Sequence, residues 1–363
     1  MSRYLIARLI LAVSLVALLG LVVACADNGT PSTANPFPEK QRILVVHSYD
    51  DGFRWTAEQG AGIVEGLRAA GWREGLEYEL RVFFMDTRVK YTMPEQVAER
   101  AGEALAMVEE FEPRLVFVTD DVALRTVAVP YAEGHPDADV VFVFSGINID
   151  PTVYPPVQSL QAPGGILTGL LERIPVAEAM TAAKRVFPAA ARAALLADGS
   201  SSSAAAIQDF NSKYPGGLHA PLDVTGFTQV KTFAEWQQRI REANASVDVI
   251  GVLNYHGLTD EAGKVVASSE VLEWTLANST KPVIGLVTDW ARDGLPMAVG
   301  NSGMKHGEAA ATIGAVVLGG RAPGAIAIVD PKLTETAFNV AAVRRLGLRI
   351  AESEIEEAGL VVR

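Results

Sequence analysis

The segment RILVVHSYDDGFRW, residues 42–55, passes without transition from the apolar run Ile43 to Val46 into His47, Ser48, Tyr49, Asp50, Asp51 and Trp55. Residues of these types offer three kinds of chemistry. They could form a catalytic histidine site, a metal cluster of His47 with Asp50 and Asp51, or a rim where an aromatic face and short hydroxyls meet a small molecule. The same switch recurs along the chain. Met85-Asp86-Thr87, Thr119-Asp120-Asp121, Ser145-Gly146-Ile147-Asn148, Asp198-Gly199-Ser200-Ser201, Asn254-Tyr255-His256 and Thr288-Asp289-Trp290 each follow an apolar run. A change that repeats at nearly every apolar run is not explained by one special histidine.

Catalytic patterns are missing from the sequence. There is no G-x-S-x-G elbow, no H-E-x-x-H, no G-x-G-x-x-G after a strand and no P-loop. The five histidines, at 47, 135, 219, 256 and 306, are scattered, and none stands at helix-face spacing with another metal ligand. Solvated loop charges account for Asp50 and Asp51 better than a metal does. The expectation is a protein that is not an enzyme and carries no metal and no cofactor.

The elements that must position these residues follow from periodicity. Short β-branched runs alternate with stretches of helical period, the pattern of parallel strands joined by helices. Strands are expected at ILVV (43), LRVFF (80), RLVFV (114) and VVFVF (140), with helices between them, one opening at Pro94 in a first-turn position. Residues 148–165 carry four prolines and two glycines and read as an inter-lobe crossing. Beyond it, ILTGL (166), RAALLA (192), DVIGVL (248) and PVIGLV (282) alternate with helical tracts around 176–187, 203–213, 233–243 and 268–279. The fold class expected is α/β, two doubly wound parallel-sheet lobes joined by a hinge.

In open parallel sheets, ligands sit beyond the carboxyl ends of strands, where helix N-termini present free N–H groups. The polar strand ends are therefore ligand candidates as a group. Plainer roles stand beside that reading. Asp120 and Asp289 are equally suited to cap the helices that follow them, Ser200 to Ser203 to N-cap and turn chemistry, and Trp55 and Trp290 to packing under loops. The two tryptophans favour a ligand wall, because each lies beside a polar strand end and aromatic walls line small-molecule clefts.

The formal net charge of -12 excludes a nucleic-acid partner, since phosphate contacts need clustered Lys and Arg and no such cluster is present. Residues 1–24 have early arginines, Arg3 and Arg8, and then an apolar run from Leu9 to Val23, the pattern of a secretory signal. The run is shorter than the roughly 20 residues a membrane span needs. Val22-Val23-Ala24-Cys25 resembles the lipobox of bacterial lipoproteins, which makes the chain's single cysteine an acylated N-terminus and places the mature protein outside the cytoplasm, in the periplasm or on the cell surface. The Pro-, Ser-, Thr- and Asn-rich tract that follows, within residues 25–40, reads as a flexible tether.

Longer segments carry a family resemblance: LVFVTDDVA (115), VFVFSGIN (141), GGILTGLLERIPVAEAM (164), MAVGNSGMKHGEAAATIGAVVLGGRAPGAIAI (297) and FNVAAVRRLGLRIAESEIEEAGLVV (338). In order and spacing they resemble the type I periplasmic binding proteins, specifically the substrate-binding lipoproteins of ABC transporters whose better-known members take tryptophan or tyrosine. The resemblance implies two lobes joined by three crossings. The first lobe would be residues 41–152 plus about 297–326, with a helix from Met304 to Gly319 on its sheet, and the second 153–296 plus about 327–363. It implies a monomer that closes on a small polar or aromatic metabolite and delivers it to an ABC permease, held to the membrane by its lipid. Carried over position by position, the resemblance makes Ser48, Thr119, Ser145, Asn148, Ser200 and Asn254 ligand contacts, with Asp120 and Asp289 as partners for an ammonium; the strand-end reading adds Tyr49, Trp55, Gly146, Ser201, Tyr255 and Trp290 to the ligand-binding set. The HSYDDGFRW opening is more polar and aromatic than in those relatives and resembles binding proteins encoded near sensor kinases, which leaves the ligand open and a sensor kinase as the alternative partner.

Overall fold

The computed structural model describes residues 39–363. The expected signal segment, the acylated Cys25 and the tether to residue 38 lie outside the described residues. Two sheets organise the chain. The first has five parallel strands, β1 (Gln41–His47), β2 (Tyr78–Phe84), β3 (Leu115–Thr119), β4 (Val141–Ile147) and β5 (Leu167–Leu171), in the order β2-β1-β3-β4-β5. The second holds β6 (Ala193–Asp198), β7 (Phe227–Val230), β8 (Val249–Val252), β9 (Val283–Gly285), β10 (Met297–Asn301), β11 (Thr334–Asn339) and β12 (Leu360–Val362), in the order β12-β11-β10-β9-β8-β6-β7. Only the β10–β11 pairing in it is antiparallel.

The helices that matter for the site are α1 (Arg54–Ala69), α2 (Pro94–Phe111), α3 (Asp120–Ala123), α4 (Val129–Gly134), α5 (Val176–Val186), α6 (Ser201–Lys213), α7 (Phe233–Ser246), α8 (Ser268–Asn278), α9 (Trp290–Asp293) and α10 (Gly303–Leu318). Local chemistry sets their ends. Pro94 opens α2, and Thr232 and Glu235 form a reciprocal capping box at the start of α7. Strands β3 and β4 are buried along their whole length, because helices cover both sheet faces.

Helices α1 and α10 meet at backbone contact. A Cβ built on Gly62 would lie 2.1 Å from the Met304 carbonyl, and one on Gly307 would lie 2.2 Å from the Gln59 carbonyl. Only glycines permit this approach, which brings the Trp55 and His306 rings to 5.5 Å between centroids. Helix α10 also packs on β3, β4 and β5, so a late segment lies on the first sheet.

Two boundaries differ from the sequence reading. The ILTGL strand, β5, pairs with β4 in the first sheet and not in the second lobe. The proline-rich stretch before it is a loop of the first lobe, with Val157 and Ile166 in that lobe's core. Proline and glycine mark irregular backbone but do not say whether the chain then leaves the domain. Likewise Met297–Asn301 is β10 of the second sheet, so the return to the first lobe starts at Ser302 and not at Met297. The chain thus crosses between lobes after β5, between β10 and α10, and between Val329 and β11. Strands β7, β11 and β12 are additions that the apolar runs did not signal, being short or only half-buried. Among the described residues no helix is long and apolar enough to cross a membrane.

Candidate ligand site between the strand ends

The opening histidine faces inward. His47 is 2% exposed, its Nδ1 lies 3.0 Å from Thr119 Oγ1, and its ring stacks on Phe84 at 5.2 Å. Burial lowers its pKa to about 4, so it stays neutral. Asp50 pairs with Arg88 at 3.2 Å, and the Arg88 guanidinium lies over the Phe53 ring. Among the described residues no three His, Cys, Asp or Glu gather to hold a metal ion.

Ser48 is sealed under the wall of the first lobe. Its hydroxyl donates to the Thr119 carbonyl at 2.6 Å and accepts from the Ala123 N–H at 2.8 Å. Thr119 and Ser145 are buried beside it in register across β3 and β4. These three hydroxyl residues are buried at the strand ends, where Asp120 with Trp55 and Asp121 with Asn148 also gather.

Asp120 is the centre of that wall. It is buried and holds φ at +67°, a conformation uncommon for a side-chain-bearing residue and typical of functional sites. Trp55 Nε1 donates to its Oδ1 at 2.8 Å, and Gln59 Nε2 approaches Oδ2 at 3.4 Å. Gly146, itself at φ +74°, makes room for it, since a Cβ there would lie 2.9 Å from Asp120 Oδ1. Burial pushes the Asp120 carboxyl well above its ordinary range, with Glu172 and Asp121 adding to the rise and the Trp55 hydrogen bond opposing it. Asp121 accepts the backbone N–H groups of Asn148 and Ile149. Burial also raises the Tyr49 phenol, and the negative charges of Asp120, Asp121 and Glu172 reinforce it.

Sequence reasoning missed Glu172, Arg173 and Asn301, which tie the crossings together. Asn301 Nδ2 donates to Glu172 Oε1 at 3.1 Å and to the Arg173 carbonyl at 3.0 Å, joining the crossing after β5 to the one after β10. Asn148 Nδ2 reaches Glu172 Oε2 at 3.3 Å. Arg173 donates to the Ile147 and Asn148 carbonyls in the first lobe and pairs with Asp209 on α6 of the second at 3.0 Å. Burial pushes the Glu172 carboxyl up to about 7, against hydrogen bonds from Asn301 and Asn148. The strand-end rule applies to these residues as well: Glu172 and Arg173 directly follow β5, and Asn301 ends β10, which the apolar runs did not signal.

In the second lobe the strand ends form a network of their own. Asp198 Oδ1 accepts from the Ser200 hydroxyl at 2.5 Å and the Ser203 hydroxyl at 2.8 Å, and Oδ2 accepts from the Gly257 N–H at 2.8 Å. Burial alone would raise this carboxyl, but these bonds outweigh it and hold it below the usual range. Ser200 also caps α6, accepting from Ser203 N–H, so the capping role is realised; Ser201 is the first residue of that helix. Asn254 Nδ2 donates to the Ser203 hydroxyl at 3.1 Å. Tyr255 is 1% exposed with its hydroxyl on Asp293, and its ring packs with His256 and Trp290. The Trp290 indole N–H donates to the Leu253 carbonyl. Tyr255 thus packs under the loop, offering no face to a ligand, and Trp290 is half-buried in the same cluster.

Asp289 does not cap its helix; its side chain makes no capping bond. It accepts from Arg54 Nη1 at 2.9 Å, across the gap between the lobes. The cation beside Asp289 in this structure is therefore the protein's own.

Two α/β lobes joined by three crossings are the architecture of the type I periplasmic binding protein fold. Residues 137–362 match the family described as ABC transporter substrate binding protein, and the chain belongs to that family. Among solved structures it is similar to a ligand-free, open substrate-binding protein with adhesive properties from Clostridium difficile, at 16% identity and TM-score 0.66, over 89% of this chain and 99% of that one. It is also similar to a Streptococcus pneumonia ABC domain in complex with L-Trp, at 20% identity and TM-score 0.58, over 89% of this chain and 100% of that one. A conserved domain protein from Vibrio cholerae aligns over the same shares at 18% identity and TM-score 0.57. No curated protein matches the sequence.

Proposed function

We propose that this chain is a lipid-anchored, extracytoplasmic solute receptor that captures a small polar or aromatic metabolite between its lobes and delivers it, as a monomer, to an ABC permease. The observation that carries the reading is the cluster built on Asp120, a buried carboxyl at φ +67° that accepts from the Trp55 indole and lies near the Tyr49 phenol, at the ends of the first-lobe strands. Such a cluster suits a ligand with an apolar ring and at least one hydrogen-bond donor. The L-Trp complex of the pneumococcal neighbour is of that chemistry. Asn148 and Asp121 from the first lobe, with Trp290 and the α6 N-terminus from the second, complete the candidate contacts.

Binding works by differential affinity: a ligand that touches both walls favours the closed arrangement by whatever it gains from the second wall. Mass spectrometry of small molecules that co-purify with the soluble form starting at residue 27 tests this directly. A thermal-shift screen of metabolites complements it, because a ligand at a hundredfold excess over its Kd stabilises the native state by about 2.7 kcal/mol. If neither method yields a ligand, the solute-receptor reading fails. Permease and ATPase genes beside this one would favour uptake; a kinase and regulator would favour a sensor-kinase partner instead.

A further inference from the structure

Arg54 stands at the start of α1 in the first lobe, and all of its guanidinium nitrogens face carboxylates. Nε donates to Glu58 Oε1 at 2.7 Å on its own helix, Nη1 to Asp289 Oδ1 at 2.9 Å, and Nη2 to Glu335 Oε1 at 3.4 Å. Asp289 follows β9 and Glu335 lies on β11, both in the second lobe. The side chains are only 22% (Arg54), 25% (Glu58), 26% (Asp289) and 9% (Glu335) exposed, so the group is partly buried and stronger than a surface ion pair at low salt, while still open to screening at high salt. Space is reserved for it as well: a Cβ on Gly359 would lie 2.7 Å from Glu335 Oε2, and one on Gly303 would lie 3.2 Å from Glu58 Oε2.

The placement gives this group leverage. Gly303 follows the crossing between β10 and α10 and lies against the Trp55 carbonyl, so Arg54 sits beside the hinge. Asp289 and Arg54 each follow the carboxyl end of a strand, one in each sheet, and an attraction between them draws those ends together. The charges facing the group are Glu58 on α1, Asp289, Arg292 at 3.7 Å from Asp289, and Glu335 on β11, while Lys305 of α10 donates to the Thr334 carbonyl next to Glu335. Three carboxylates thus surround the Arg54 guanidinium, two of them from the second lobe, while Arg173 with Asp209 makes a separate link between the lobes.

We propose that Arg54 is a hinge lock that holds the two lobes together through Asp289 and Glu335 when no ligand is bound. The lock assumes the two-lobe closure of the proposed function but is independent of which solute is carried. A ligand that touches both lobes then adds its contacts to an attraction between them that the chain itself supplies.

Small-angle scattering of ligand-free protein tests this, because it needs no solute. Wild type should be compact at low salt and should expand toward 1 M salt, where the Debye length falls to about 3 Å. Arg54→Gln should have the larger radius of gyration at every salt concentration, and Asp289→Asn with Glu335→Gln should match it from the other lobe. The exchange Arg54→Asp with Asp289→Arg should restore part of the compaction. Circular dichroism of each variant establishes that it is folded; if Arg54→Gln fails to fold, the Asp289/Glu335 pair gives the reading. Equal radii for wild type and both neutral variants at low salt would overturn the lock while leaving the solute-receptor reading intact. Failure to find a solute would leave the lock intact.

Discussion

The Trp55 indole N–H donates to Asp120 Oδ1 at 2.8 Å, so the aromatic part and the acidic part of the candidate wall are one hydrogen-bonded unit. The indole cannot turn freely toward a ligand, and the carboxylate cannot relax from its φ of +67° without losing its donor. Trp55→Ala should therefore weaken binding of the co-purified solute by on the order of 2 kcal/mol or more, as for a hot-spot aromatic, and should also lower stability by about 1–3 kcal/mol by leaving Asp120 under-bonded. Trp55→Phe should keep most of the ring contact and lose the hydrogen bond. Calorimetry and urea melts of the two variants separate these parts, and full binding by Trp55→Ala would remove the indole from the site.

Glu172 should make stability depend on pH near neutrality. Its folded pKa, about 7, lies above the ordinary 4.5, so between those values the folded state holds a proton that the unfolded state has lost. Its contribution is complete below about pH 4.5 and disappears as pH rises through 7. Asp120, shifted in the same direction, adds to this trend. Glu172→Gln should flatten the fall in melting temperature from pH 4.5 to pH 8 and should be relatively more stable at the alkaline end. A variant whose melting profile parallels wild type would show that Glu172 ionises normally.

His306 should act with the opposite sign. It is 1% exposed, both ring nitrogens lack a protein partner, and burial lowers its pKa from 6.5 to about 4. Stability from the neutral imidazole is present above pH 6.5 and is lost as pH falls through 4; His47, shifted alike, contributes in the same window. His306→Gln should reduce the acid limb of the melting profile, with proton NMR of the His306 ring as the direct titration. A ring that titrates near 6.5 in the folded protein would contradict the burial argument.

His47→Ala should disturb solute binding much less than Trp55→Ala, because His47 is 2% exposed and turned onto Thr119 and Phe84. The comparison should be made by calorimetry at pH 7.5, where the imidazole is neutral. Loss of binding in His47→Ala alone, or loss on adding a chelator, would favour the metal reading that the geometry disfavours.

Cys25→Ser should release the protein from membranes without changing its melting temperature, since the Pro-, Ser-, Thr- and Asn-rich tract after it carries no apolar periodicity. Membrane fractionation after a high-salt wash measures this. A Ser variant that stays with the membrane would refute acylation as the anchor.

The sequence alone determined the class of fold and the edge of the molecule where a site could form. Strands such as β3 and β4 are apolar along their whole length because both faces are covered, and their polar ends stand out for the same reason. Capping at Thr232 and the proline opening α2 are local rules that need no distant partner. Tertiary structure decided which sheet each strand joins and what each polar end touches. Strand β5 has the same apolar character in either sheet, and only its pairing with β4 places it. Asp289 could serve as a cap, a ligand partner or half of an ion pair, and the choice was made by Arg54, 235 residues away. An ion pair or a register between such distant segments depends on the geometry of the packed chain, and it leaves no trace in the spacing of neighbouring residues.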